Sequence, residues 1–270
     1  MTTSITASNT PAADSFIRQT LTRRTNFFGI PETTKAFGML VVPPCDLLLP
    51  TEREVDRAKE RGERLILCGP ISMVHMYEAL ANKLGDGKLL YNLDWYGDGK
   101  EEFFAKVFWP DWHYRFTTEG VIERTLGENY LTQTRSLVTY LTERVYEGQP
   151  LPKLYADAVE EFNRREEALA NLLDEDWKKA AEELAGLQVN RLFRETPDLV
   201  LWDVFLSKKV NGIYVLPDTR TWTNQRSSRG YLVAVGYAAV DGVDVDAHDP
   251  RHTSDYLGVR FSCRVHGLVA

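Results

Sequence analysis

The C-terminal residues 226–265 read RSSRGYLVAVGYAAVDGVDVDAHDPRHTSDYLGVRFSCRV, and their alternation decides the expected fold. Within 243–248, valine and alanine alternate with aspartate and histidine, and within 259–265 Val, Phe and Cys alternate with Arg and Ser. A period of two is typical of strands with one apolar and one polar face. We therefore predict a run of antiparallel strands, beginning with 212–216 and 231–237, that has an inner and an outer face.

The residues before this region are predicted to be mainly helical. Apolar side chains recur at helical spacing within 118–187, and Phe16–Arg24 has the pattern of a short amphipathic helix. Thr51-Glu-Arg-Glu54 is a capping box that begins a charged helix. A further helix is expected over 74–84 and should end at Gly85. Asp174 is the expected N-cap of a later helix that contains Trp177, Ala181 and Leu184.

Short strands interrupt the helices, so the predicted fold class is α+β. The apolar runs Phe37–Val42 and Arg64–Cys68 end at proline or glycine and suit buried strands. The expected organisation is a flexible arm over 1–14, a mostly helical part with short strands over 15–197, and a β-rich region over 198–270. The last two are compatible with one continuous domain.

Bulk composition narrows the classes of function. The formal net charge of −7 argues against nucleic acid as a partner. The chain lacks an apolar run of bilayer length and a signal-peptide pattern. We thus expect no membrane insertion and, by default, a cytoplasmic location, with surface display by another route left open. Cys45, Cys68 and Cys263 are widely spaced and follow no ligand pattern, which favours free thiols. The common nucleotide-binding, hydrolase and metalloprotease motifs are absent, so we expect neither cofactor nor catalysis.

Residues 226–270, which we call the tail, differ in composition from the rest of the chain. The chain contains 11 Lys, 21 Glu, 5 Gln, 4 Met and 6 Trp, and all of them lie at or before Gln225. Strands disfavour Lys and Glu, but Trp is a good strand residue and it is absent too. These five residue types are the ones that no codon ending in C or T encodes. A tail scrambled at the first two codon positions would have this composition.

Together with this bias, several short motifs carry a resemblance to a known family. They are Thr221-Trp-Thr-Asn-Gln-Arg-Ser-Ser-Arg-Gly230, Leu232-Val233, Val235-Gly236, Gly242-Val-Asp-Val245, Asp249-Pro250 and Leu257-Gly-Val-Arg-Phe-Ser262. The chain resembles the variable proteins of diversity-generating retroelements, in which a reverse transcriptase recopies the 3′ end of the gene and mutates adenines. The resemblance implies a C-type-lectin-like fold of the formylglycine-generating-enzyme type, displaying a hypervariable ligand-binding surface.

The resemblance divides the tail into framework and contact positions. The implied framework positions are Gly230, Leu232, Val235, Gly236, Val243, Val245, Leu257, Gly258, Val259 and Phe261. The implied ligand contacts are Arg229, Tyr231, Ala234, Tyr237, Asp241, Asp244, Asp246, His248, Arg251, His252, Ser254, Asp255 and Tyr256. Tyr, Asp, Arg, Ser and His supply rigid area and adaptable hydrogen bonds, as in antibody paratopes. The partner would be a protein or a cell-surface molecule that the sequence does not identify.

Alternatives accompany this hypothesis. The acidic segment 241–249 could bind a cation, but neighbouring side chains on one strand face are about 6–7 Å apart, which favours a solvated face. Cys263 could serve a lectin-fold enzyme, although its place on the apolar side of a strand favours a buried, inert thiol. Residues 118–187 could instead mediate oligomerisation of an invariant structural protein. The aromatic-rich residues 89–116 could line a pocket, but a core belt is the expected role.

Overall fold

The computed structural model describes residues 10–21, 26–38 and 47–265. Its helices are α1 (Thr10–Thr20), α2 (Ile30–Phe37), α3 (Glu52–Glu60), α4 (Met73–Ala79), α5 (Glu102–Ala105), α6 (Tyr130–Tyr140), α7 (Lys153–Glu175), α8 (Trp177–Gly186), α9 (Gln188–Phe193) and α10 (Pro197–Asn211). Its strands are β1 (Phe27–Phe28), β2 (Glu63–Cys68), β3 (Lys83–Leu84), β4 (Gly87–Lys88), β5 (His113–Thr118), β6 (Arg220–Arg226), β7 (Leu232–Ala239), β8 (Gly242–His248), β9 (Leu257–Gly258) and β10 (Ser262–Arg264). The fold class is α+β, as predicted.

The strands of the tail are divided between two four-stranded sheets. One sheet has the order β8-β7-β6-β9, and the other has the order β1-β2-β5-β10. Strand β10 leaves its neighbours in sequence and pairs antiparallel with β5, while β9 pairs parallel with β6. The expectation of one antiparallel run is therefore correct for β7 and β8 and wrong for the strands after them, and β6 was not predicted.

Several local predictions are confirmed. Thr51 and Glu54 form the capping box, with the Thr51 backbone N–H donating to Glu54 Oε2 over 2.7 Å. The strand over 64–68 lies within β2, and long helices fill most of 118–187. These predictions rest on local capping and periodicity, and the tertiary packing is compatible with them.

Other local boundaries differ from the prediction. Helix α1 ends at Thr20, and α4 ends at Ala79 because a short β3–β4 hairpin follows it. The side chain that caps α8 is Asp176 and not Asp174. Phe37 ends helix α2, so it is no strand residue, and 39–42 lie outside the described residues. Residues 10–14, expected in the arm, belong to α1, and 1–9 lie outside the described part of the chain.

The largest correction concerns residues 198–216. Residues 198–211 belong to helix α10, and 212–216 are irregular where a strand was expected. Every residue from Pro197 to Ser207 is buried. A helix that is buried on every side lacks the one-sided apolar pattern by which helices are recognised in a sequence. The β-rich region therefore begins at β6.

Helix α10 lies between the two sheets and contacts both β7 and β2. Its buried side chains join Ile66 of β2 with Val233, Val235, Val243 and Val245 of the other sheet in one core cluster. The opposite face of β6 and β7 packs on helices α6 to α9 in a second cluster. Both faces of the central strands are thus covered.

Helices α6 to α9 bury one residue that was expected to contact the ligand. Ala234 is fully buried in the second cluster together with Trp222 and Leu232, so it belongs to the framework and not to an exposed surface. The Ser and Arg positions expected outside on the last strand are also buried at Ser262 and Arg260. The aromatic belt is mainly core, as expected, although Tyr91 is exposed.

Candidate functional site

Arg220 connects the edge and the centre of the β8-β7-β6-β9 sheet. In the ladder, Arg220 of β6 stands opposite Gly236 of β7, which stands opposite Asp244 of β8. Because Gly236 has no side chain, the Arg220 guanidinium crosses β7 and forms an ion pair with Asp244. A Cβ on Gly236 would lie 2.2 Å from the carbonyl oxygen of Thr219, so this position requires glycine.

A bulge next to this glycine directs a tyrosine onto the arginine. The pairing of β7 with β8 shifts register after Gly236, and Tyr237 has a φ of 45°, in the left-handed region. Bulges commonly re-aim a side chain in this way. The Arg220 Cζ lies 4.5 Å from the ring centroid of Tyr237 and 5.4 Å from that of Tyr256. The two tyrosine rings are 5.3 Å apart and both are half-buried.

Strand β8 continues the cluster with an acidic and an imidazole side chain. Asp246 Oδ2 lies 3.3 Å from His248 Nε2 and 3.8 Å from the Arg220 guanidinium. The neighbouring His248 lowers the pKa of Asp246 below its usual range. The His248 ring stacks on His252, with centroids 4.4 Å apart and planes 10° apart. Burial and the neighbouring His248 lower the pKa of His252 below its usual range.

We call this surface the tyrosine–histidine face. Its members are Arg220, Tyr237, Asp244, Asp246, His248, His252 and Tyr256. Six of them are predicted contact residues that the fold brings together. Arg220 was missed because it precedes the compositionally biased tail. The signal that could have found it is its alternation with buried Trp222 at the start of the same strand.

The other predicted contacts lie around this face or away from it. Asp255 acts electrostatically on Tyr237, and Arg251 pairs with Asp249 in the loop that carries His252 and Ser254. Arg229, Tyr231 and Asp241 are not part of the cluster. Arg229 lies exposed in the β6–β7 turn, the Tyr231 ring packs 4.8 Å from that of Trp177, and Asp241 lies in the β7–β8 turn.

A polar groove of about 720 Å³ runs beside the β6–β7 turn. Its walls are half-buried Phe108 and Trp109 and its floor includes Thr196 and Asn224, so part of the aromatic belt does line a cavity. Lys106 and Arg226 on its rim lie 3.5 Å and 3.7 Å from the carboxylates of Glu102 and Glu182. Each of these two cations thus has an acidic neighbour, which leaves the rim mixed in charge.

Glu101 anchors the β6–β7 turn, which lies at the start of the tail. It is buried, and its carboxylate accepts from the Ser228 backbone N–H over 2.6 Å and from the Ser228 hydroxyl over 2.8 Å. We expect Glu101→Ala to lower the free energy of unfolding by about 2 kcal/mol, because two charge-assisted hydrogen bonds are lost. Urea denaturation of Glu101→Ala and of the exposed neighbour Glu102→Ala would measure it. Equal midpoints for the two variants would refute the anchoring role.

Cys263 lies at the edge of the second core cluster and is only partly buried, whereas full burial was expected. Its Sγ is 3.0 Å from the Tyr155 hydroxyl oxygen. Burial raises the pKa of the Cys263 thiol to about 11. Because the thiolate is the nucleophile, this thiol is a poor one at neutral pH.

The raised pKa predicts slow alkylation of Cys263. At pH 7 we expect iodoacetamide to modify it about a hundredfold more slowly than free cysteine, since the thiolate fraction falls with the pKa. Peptide mass spectrometry of the native and urea-unfolded chain measures both rates. A native rate equal to the unfolded one would restore Cys263 as a candidate nucleophile, and Cys263→Ser in an oxidase assay would then be decisive.

Comparisons with protein-family models, with curated proteins and with solved structures found no match. Within the described residues, no helix is both long and apolar enough to cross a membrane. In the same part of the chain, no three His, Cys, Asp or Glu side chains are grouped so that they could hold a metal ion. The site must therefore be interpreted from its own geometry.

Proposed function

We propose that the protein binds a ligand through the tyrosine–histidine face, and that a retroelement diversifies this surface on a C-type-lectin-like scaffold. The observation that carries the proposal is the gathering of six predicted contact residues at one partly exposed part of the sheet. The scaffold type and the mechanism of diversification rest on the sequence resemblance.

The distribution of burial supports a surface that can change without loss of the fold. Leu232, Val235, Val243, Val245 and Leu257 are buried, as framework residues should be. The members of the face are half-buried, and four of them, Tyr237, Asp244, Asp246 and His248, lie on the same strands β7 and β8. Inward side chains fix the register of a strand, so the outward ones are free to vary.

The chemistry of the face suits protein recognition. Tyrosine and arginine are enriched among the residues that dominate binding energy at interfaces. Arg220 holds the two tyrosine rings together, so little conformational entropy is lost when they meet a partner. The ligand is thus expected to be a protein or another cell-surface molecule.

Sequencing the DNA around the gene tests the mechanism of diversification. We expect a second copy of the codons for residues 226–265 near a reverse transcriptase gene. The differences should fall at Tyr237, Asp244, Asp246 and His248 and not at buried Ala234, and the second copy should carry adenines where they occur. The absence of such a copy, or differences spread over buried codons, would refute diversification by a retroelement.

A further inference from the structure

The surroundings of the tyrosine pair are acidic. Asp218 precedes Thr219, whose carbonyl oxygen accepts from the Tyr237 backbone N–H over 2.9 Å, and Asp255 precedes Tyr256. Asp249 lies in the loop that carries His252. Together with the two aspartates of β8, the five carboxylates are Asp218, Asp244, Asp246, Asp249 and Asp255. Their proximity to half-exposed aromatic rings distinguishes them from an acidic helix surface.

The nearby cations do not neutralise these carboxylates. Arg220 forms an ion pair with Asp244, and Arg251 forms one with Asp249. Asp246 shares Arg220 with Asp244, at 3.8 Å from the guanidinium, and among the described residues no ion pair joins Asp218 or Asp255 to a cation. The His252 ring stacks on His248, and burial lowers its pKa, which disfavours a positive charge on it.

The tyrosine rings already bind one guanidinium. Arg220 contacts the π faces of both Tyr237 and Tyr256, and both rings are only half-buried. Aromatic faces attract cations, by about 0.5–1 kcal/mol at an exposed site. A second guanidinium or ammonium arriving from solvent would meet ring surface and uncompensated carboxylates at the same place.

We propose that the partner of the tyrosine–histidine face is a basic protein segment that places Arg or Lys side chains on Tyr237 and Tyr256, among Asp218, Asp246 and Asp255. This inference rests on the proposed binding function and adds the chemical class of the partner. Complementary charge raises the association rate and is screened beyond about 8 Å at physiological salt. Binding is therefore expected to weaken as salt increases.

The test uses the full chain and a phage-displayed library of random peptides as the probe. Peptides recovered at low salt are retested on Tyr237→Ala/Tyr256→Ala, which identifies those that bind the face. We expect these peptides to be rich in Arg and Lys. Each should bind about tenfold more weakly to Asp218→Asn/Asp246→Asn/Asp255→Asn, a change of about 1.4 kcal/mol.

The matched control removes the same charge elsewhere. Glu160, Glu167 and Glu175 are exposed on α7, and replacing all three with glutamine should leave the affinities unchanged. If the tyrosine-dependent peptides are acidic or uncharged, or if both triple variants weaken binding equally, the basic partner is refuted and the binding function stands. If no recovered peptide depends on the tyrosines, both the basic partner and the proposed binding surface fail.

Discussion

Replacing Asp203 with alanine is expected to lower the free energy of unfolding by about 3–5 kcal/mol, a large part of the stability of an ordinary domain. Asp203 lies on α10 and is almost fully buried. Its carboxylate accepts from Arg64 Nη1 over 2.9 Å and from Arg260 Nη2 over 2.6 Å. Removing it leaves two buried guanidiniums close to one another, which accounts for the size of the effect.

The residues of this ion cluster come from distant parts of the chain. Arg64 belongs to β2, and Arg260 donates through Nε to the Thr118 carbonyl oxygen of β5 over 2.9 Å. Arg260 also lies 3.5 Å from Glu195, whose pKa is raised by burial. Asp203 therefore joins Arg260 of the tail to Arg64 of β2, a strand from the N-terminal part of the chain.

Urea denaturation followed by tryptophan fluorescence measures the loss. The control is Asp157→Ala, which removes an exposed ion pair with Lys153 and should cost less than about 0.5 kcal/mol. Asp203→Asn should fall between the two, because it keeps the shape and one acceptor but loses the charge. Similar midpoints for Asp203→Ala and Asp157→Ala would show that the buried cluster does not hold the two parts together.

Replacing Asp198 with asparagine is expected to change how stability depends on pH. Asp198 is buried near the start of α10, and burial raises the pKa of its carboxyl to about 7. In the unfolded chain the pKa is about 3.9, so between these values the folded state holds a proton that the unfolded state has released. The free energy of unfolding therefore falls as pH rises from about 4 to about 7, by about 4 kcal/mol in total.

Asparagine cannot ionise, so this part of the pH dependence should disappear in Asp198→Asn. The measurement is the difference between the unfolding free energies of the wild type and the variant, taken by urea titration at several pH values. Asp174→Asn is the control for the replacement itself, because it makes the same change at an exposed position. The same profile for Asp198→Asn as for this control would mean that the buried carboxyl is not protonated in the folded protein.

The contact residues of the face could be predicted only in part. Alternation along β8 placed Asp244, Asp246 and His248 on one face because the side-chain period of a strand is a local property. The same rule failed at Ala234 because it states which side a residue faces and not what covers that side. Helices distant in sequence cover Ala234, whereas the edge strand β8 is left partly open.

The amino-acid sequence alone predicts the α+β class, the capping box of α3, strands β2, β7 and β8, and the change in composition at Gln225. Each of these follows from periodicity, capping or composition within a short window. Three features emerge only in the folded chain: α10 is a buried helix between two sheets, Arg260 is an internal charge, and Arg220 contacts both tyrosine rings. Burial and ion pairing depend on which distant segments meet, and no local pattern carries that information.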